Sequence, residues 1–262
     1  MRDNRMSYLS PFYEGMIFDT HAHYDDDAFN TDLDKLLNSL KHSVCGIINC
    51  ACNSQSGKTT MELAHKYPFV YGAVGLHPED TEPLDLGWIE SLATDPKCVA
   101  IGEIGLDYHW DSVPRDVQKA NFISQLKLAK KLNKPVIIHS RDANSDTFDI
   151  IKEHRPKGVM HCYSGSAEMA RQLVDMGIYI GIGGVLTFKN ARKTVEVAEQ
   201  IPLEFILLET DAPYMAPVPL RSKRCHSGMI INVARRIAEI KGITVAEVLK
   251  TTRENTRRLF GV

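Results

Sequence analysis

The six cysteines, Cys45, Cys50, Cys52, Cys98, Cys162 and Cys225, form no CxxC pair and no closely spaced framework. That pattern argues against a disulfide-stapled scaffold and against paired-cysteine zinc sites. Several lie inside apolar strand-like runs, where a thiol behaves as a small hydrophobe, so buried free thiols in a reducing compartment are expected. No stretch approaches the roughly 18 apolar residues of a membrane span. The N-terminus shows no secretory hydrophobic region, which makes the cytoplasm the expected location and a membrane partner unexpected. No GxGxxG follows the first strand, so a dinucleotide site has little support. An excess of one charge is also missing: the net charge is −2, so any polyanion must be held by a local basic patch.

The 262 residues, 44% hydrophobic and 24% charged, are ordinary for a soluble protein and sufficient for a full core. Residues 1–15 are polar and aperiodic and read as an N-terminal extension with no assigned function. No repeat, low-complexity tract or linker divides 16–262. Short apolar runs at 16–19, 46–50, 70–75, 98–102, 135–138, 158–161, 178–182 and 205–209 have the character of parallel strands covered on both faces. Amphipathic stretches at 32–40, 57–67, 115–132, 167–176 and 191–200 alternate with them. In the longest, Val117, Phe122, Leu126, Ala129 and Leu132 share one helical face. Two or three helices follow between about 230 and 260. This rhythm predicts an α/β protein with a (β/α)8 barrel; a doubly wound open sheet is the weaker alternative. Gly181-Ile182-Gly183-Gly184 reads as a tight turn with close backbone approach rather than a phosphate cradle.

Chemistry concentrates at the strand ends. His21 and His23 are spaced to project from one face of the first strand. Glu103, His139, His161 and Asp211 stand at the tails of later strands, where barrels of this kind gather their functional groups. Four imidazoles and two carboxylates suit Zn²⁺, Mn²⁺ or Fe²⁺ better than Mg²⁺, which prefers oxygen. They exceed one tetrahedral catalytic zinc and match two ions sharing a carboxylate. Other readings exist residue by residue: His139 or His161 as a satisfied core histidine, and Asp211 as the cap of a helix opening at Ala212-Pro213. An unpaired Glu103 in a barrel mouth is harder to explain structurally.

The motifs Phe18-Asp19-Thr20-His21-Ala22-His23, Gly75-Leu76-His77-Pro78, Ala100 to Tyr108 (AIGEIGLDY), Pro135 to Arg141 (PVIIHSR), His161-Cys162-Tyr163-Ser164-Gly165 and Leu208 to Tyr214 (LETDAPY) together resemble the TatD family of metal-dependent hydrolases, within the amidohydrolase-like barrels. The resemblance runs from Met16 to Val262. It implies one ion held by His21, His23, Glu103 and Asp211. A second would be held by Glu103, His139 and His161, with Glu103 bridging. Asp211 and Glu103 would then be the catalytic carboxylates, Asp211 orienting or deprotonating the attacking water. It also implies two divalent cations (Mg, Mn or Zn) and hydrolysis of DNA phosphodiesters, commonly from 3′ ends. The chain departs from the family where Arg-Gly-Lys-Arg-Asn-Glu-Pro is usual, reading Arg221-Ser222-Lys223-Arg224-Cys225-His226-Ser227.

His77 and Arg141 are candidates for phosphate contact, as are the basic loop residues Arg221, Lys223 and Arg224. Glu209 is a candidate for orienting a ligand or water. His226 reads as a loop histidine, and His42, His65, His109 and His154 as solvated. DNA is thus the expected substrate, with no obligate protein partner. The competing functions are a same-fold hydrolase of a small amide, lactone or ester, because fold and ligands do not fix the scissile bond, and a non-catalytic nucleic-acid-binding or scaffold protein.

Overall fold

A computed structural model describes residues 15–110 and 112–262. The expected extension over 1–15 lies outside the described residues except for Gly15, whose N–H donates to the His42 carbonyl and whose own carbonyl accepts from Arg253. Eight parallel strands follow one another in sequence order: β1 (Ile17–Ala22), β2 (Val44–Cys50), β3 (Val70–Val74), β4 (Cys98–Asp107), β5 (Val136–Arg141), β6 (Gly158–Met160), β7 (Ile178–Ile182) and β8 (Ile206–Leu208). The sheet curls back on itself through a parallel bridge between Ala22 and Ala212, and the His21 carbonyl accepts from the N–H groups of Thr210 and Asp211. The result is the (β/α)8 barrel that the alternation predicts.

The crossovers are helical, as right-handed parallel connections require. They are α1 (Leu33–Leu40), α2 (Ser54–Lys66), α3 (Leu86–Ala93), α4 (Arg115–Lys131), α5 (Asn144–His154), α6 (Ala167–Asp175) and α7 (Arg192–Gln200). Two further helices, α8 (Ile230–Lys241) and α9 (Val245–Phe260), close the chain. Local chemistry fixes several starts. Asn53 and Ser56 form a reciprocal capping box on α2, and the Ser166 and Thr244 hydroxyls cap α6 and α9.

Two apolar layers result. The larger lies between strands and helices. The smaller takes Phe18, Ile48, Ala73, Val99, Ile137, Val159, Tyr179 and Leu207, one from each strand, and is plugged by Phe260 of α9; it fills the barrel interior. Because side chains alternate along a strand, Cys50, His139, His161 and Glu209, each two residues beyond an interior apolar residue, point toward the barrel axis above that plug.

Two expectations need correction. β4 and β5 run on through Glu103 to Asp107 and through His139 to Arg141, so these ligand candidates lie within strands rather than at their tails. Glu103 and His139 are the first polar side chains after their apolar runs, but the β4–β5 ladder continues past them, after a register irregularity between Ile101 and Ile104. The α4 face also differs. Val117 is exposed, and the buried face is built from Gln118, Phe122, Gln125, Leu126, Leu128 and Ala129. The two glutamines are inside because they clamp backbone. Gln125 bonds both the N–H and the C=O of Leu76, and Gln118 bonds both of those groups on Asp107.

Candidate metal centre

Glu103 occupies the middle of the barrel mouth, 3% exposed, and its two oxygens face different partners. Oε2 lies 3.2 Å from His21 Nε2 and 3.6 Å from His23 Nε2. Oε1 lies 2.7 Å from His139 Nδ1, 3.6 Å from His161 Nε2 and 3.7 Å from His77 Nε2. Asp211 faces the first set, with Oδ1 3.5 Å from His23 Nε2 and 3.8 Å from His21 Nε2. The structure therefore brings together all six residues singled out as ligands around one carboxylate, with His161 between the two sets: its Nε2 faces Oε1, while its ring stacks on His21 at 3.5 Å and it also converges with His21 and Asp211. No helix begins at Asp211. Its backbone is left-handed (φ 59°) and its carbonyl accepts from Tyr214 in a turn, so the capping alternative has no helix to cap.

The ring nitrogens that do not face Glu103 show how the others are aimed. His23 Nδ1 lies 2.9 Å from the Cys50 carbonyl, which only accepts, so this nitrogen carries the proton and the neutral ring turns its Nε2 lone pair inward. His139 Nε2 lies 2.8 Å from Asp107 Oδ2, which leaves Nδ1 as the inward lone pair. His161 Nδ1 lies 3.3 Å from Glu209 Oε1, within ion-pair distance but without hydrogen-bond alignment, so the carboxylate's charge favours a proton on that nitrogen. His21 Nδ1 meets the Cys50 thiol at 3.4 Å. Imidazoles braced in this way by outer acceptors are the arrangement that metal ligation uses. Inward, His21 Nε2 and His23 Nε2 are only 3.0 Å apart, a separation that demands a shared proton or a cation between them. The donor set fits a cation.

His77 behaves differently. Its Nδ1 accepts the Glu79 N–H, so the neutral ring carries its proton on Nε2, toward Glu103. Although His77, Glu103 and His139 converge closely enough to hold an ion, His77 presents a donor rather than a lone pair. That suits a substrate oxygen better than a metal.

Electrostatics agree with the donor geometry. Burial alone would raise the Glu103 carboxyl, but coulombic attraction to His21 and His161 and the bond to His139 hold it well below the usual range. Asp211 is likewise lowered: burial opposes ionisation, and the His23 bond with the charges of His161, His21 and His23 outweighs it. Burial acts against His139 and His161 too, yet Asp107 and Glu103 push the first up to about 10, and Glu209 and Glu103 push the second up to about 9. Burial dominates at His77 and takes it down to about 3, keeping it neutral. The centre is thus a pair of ionised carboxylates among imidazoles, of which His139 and His161 bind a proton more tightly than usual at nitrogens a divalent ion would take, so ion binding there competes with that proton.

Two further carboxylates, Asp107 and Asp19, support the centre from within the same sequence motifs. Asp107 orients His139. Asp19, fully buried, accepts from the His21 and Thr210 N–H groups and from the Thr210 hydroxyl, tying β1 to the segment after β8 that bears Asp211. Burial lifts its carboxyl to about 7. An acidic residue closing the apolar run Met16-Ile17-Phe18 was the one available signal for Asp19. Glu209, expected to orient a ligand or water, stands behind His161 and also accepts the Cys162 N–H. Its carboxylate fills the space at Gly181, where an added Cβ would come within 2.4 Å of Oε2.

The basic residues diverge. Arg141 is exposed at the end of β5. Arg221 lies over the Phe188 ring at 3.7 Å, and Lys223 is exposed. Arg224 turns away, bonding the Ala28 carbonyl and Asp32. His226 is largely buried, its Nδ1 without a partner, and lies outside the metal-competent groups of the described residues. His42, His65 and His109 are exposed, as expected of solvated side chains, while His154 is half-buried.

Comparison with known proteins identifies the family. A family model described as TatD related DNase matches residues 18–261. The metal-dependent hydrolase YabD of Bacillus subtilis (strain 168) is 43% identical, over 94% of this chain and 100% of that protein. The 3′-5′ ssDNA/RNA exonuclease TatD of Escherichia fergusonii is 32% identical, over 94% of this chain and 99% of its own length. Among solved structures, the TatD homologue YJJV of Escherichia coli K12 superposes with a TM-score of 0.89 at 33% identity, covering 95% of this chain and 99% of that one.

Proposed function

The chain belongs to the TatD-related DNase family of metal-dependent hydrolases, and we propose that it holds two divalent cations bridged by Glu103 and hydrolyses DNA phosphodiesters from single-stranded 3′ ends. One observation supports the two-ion reading: the two oxygens of Glu103 face different imidazole nitrogens, Oε2 those of His21 and His23 and Oε1 those of His139 and His161, with His161 also stacked on His21. Asp211 completes the first set. Two divalent cations bound there would supply an acidified water and charge neutralisation at the phosphoryl oxygens. Mn²⁺ or Zn²⁺ suits the nitrogen-rich donors, and Mg²⁺ is the harder alternative.

The chain's own groups supply the rest. Asp211, held ionised, takes a proton from the attacking water. His77 donates a hydrogen bond from its Nε2–H to a phosphoryl oxygen, keeping its proton, and the exposed guanidinium of Arg141 binds the phosphate two residues beyond His139. Arg221 and Lys223 extend this contact along the strand, while Arg224 anchors their loop through Asp32. Six free thiols suit a reducing cytoplasm. No helix among the described residues is long and apolar enough to cross a membrane.

The reading is tested with metal-stripped protein reloaded with Mg²⁺, Mn²⁺ or Zn²⁺. It is offered 3′- and 5′-labelled single-stranded DNA, duplex and RNA, beside a panel of esters, lactones and amides. Metal-dependent shortening of single strands from the 3′ end is expected. Intact oligonucleotides beside an opened lactone or amide would replace the nuclease with a small-molecule hydrolase.

A further inference from the structure

The large apolar side chains that stand exposed among the described residues are Trp110, Val117, Tyr214, Met215 and Val218, and all five are on one rim of the barrel. Trp110 follows the end of β4, Val117 is in the first turn of α4, and the other three belong to the loop after β8. Single exposed apolar residues need no explanation, but their confinement to the face that carries the metal centre marks a binding surface. Trp110 is the largest of them and is 52% exposed.

Its surroundings identify the kind of partner. The His109 ring meets Trp110 edge-on at 4.8 Å, and the Arg141 guanidinium lies 5.7 Å from its ring centroid. Arg141 pairs in register with Asp107, which braces His139, so the indole is connected to the metal centre through neighbouring residues of β4 and β5. The same pairing of cation and ring recurs on the rim: Arg115 lies over Tyr108 at 4.3 Å, and Arg221 over Phe188 at 3.7 Å. Alternating guanidinium and aromatic surface matches a chain that alternates phosphate and flat base. A peptide or lipid offers no such alternation. With a net charge of −2 the molecule has no broad basic face for a duplex, and the bases of a duplex are not free to stack on a side chain.

We propose that Trp110 is the stacking platform for a nucleobase of the single-stranded substrate, beside the phosphate bound by Arg141. The proposal rests on the nuclease reading above and adds to it a base-binding position outside the metal centre. Stacking on an aromatic tolerates any base, so the platform confers grip on unpaired ends without sequence preference.

The test is steady-state cleavage by the metal-loaded enzyme, comparing Trp110→Ala and Trp110→Phe with the parent on two substrates. One is an ordinary single-stranded oligonucleotide, the other a strand of the same length whose terminal residues are abasic. Trp110→Ala should raise KM on the ordinary strand by about 5- to 150-fold, the range one stacked base allows, with kcat within about twofold. Trp110→Phe should recover most of the loss. On the abasic strand the parent and Trp110→Ala should coincide. Cleavage with the KM of Trp110→Ala unchanged on the ordinary strand overturns the platform alone, as does an equal loss on both strands. Failure of the parent enzyme to cleave any oligonucleotide overturns the nuclease reading and the platform with it.

Discussion

Asp107 Oδ2 lies 2.8 Å from His139 Nε2, on the side of the imidazole away from Glu103, and so fixes which nitrogen of His139 faces the bridging carboxylate. Removing the charge while keeping the shape isolates this effect. Asp107→Asn should weaken binding of one of two ions by about 10- to 100-fold and leave the other unchanged, with the circular dichroism spectrum preserved. Calorimetric metal titration measures this directly. Two unaltered affinities would make Asp107 a structural residue only.

Gln125 holds the backbone of Leu76, the residue before His77, from inside α4. Gln125→Leu keeps the volume but leaves a buried N–H and C=O without partners. It should cost roughly 2–6 kcal/mol in urea unfolding, at about 1–3 kcal/mol per abandoned group. Turnover should fall as well, because His77 is then held less firmly. A loss below about 0.5 kcal/mol, within the range of an ordinary surface substitution, would show that the loop keeps its path without the clamp.

Asp211→Asn should lower kcat by about 100-fold or more with the fold intact, since it removes a base and a ligand charge at almost constant volume. Near-parental turnover in the reloaded variant would remove Asp211 from the chemistry.

His226, distant in sequence from the metal ligands, provides a pH test on stability. Burial, aided by Arg224, pushes its imidazole down to about 4, so the folded state favours the neutral ring. The stability this contributes is complete above the ordinary value near 6.5 and is lost as pH falls from there through about 4. Between pH 7.5 and 4.5 the parent should therefore lose more stability than His226→Gln, by on the order of 1–3 kcal/mol. Parallel stability curves for the two proteins would contradict the assignment.

The strands and most crossover helices were legible because each strand is a short apolar run, and the six ligand candidates could be singled out because each lies in or just after such a run. What could not be read depends on contacts between distant residues. Gln118 and Gln125 look like solvent-facing positions of α4 until the carbonyls they clamp are known, and Val117 looks like core until the rim exposes it. Asp19 and Asp107 acquire roles only when β8 approaches β1 and β5 approaches β4. The run Arg221 to Arg224 reads as one basic patch, yet Asp32 draws Arg224 to one side and Phe188 holds Arg221 on the other. Neither partner can be assigned from spacing.

The central claim is that Glu103 joins two metal positions. It is tested most directly by measuring bound metal, by elemental analysis after reloading and removal of excess ions, in the parent and in Glu103→Ala. The account predicts an approach to two equivalents per chain in the parent and loss of most of both in the variant, because the one carboxylate faces both histidine sets. A parent that saturates near one equivalent, or a variant that loses one ion and retains the other at full affinity, would contradict it.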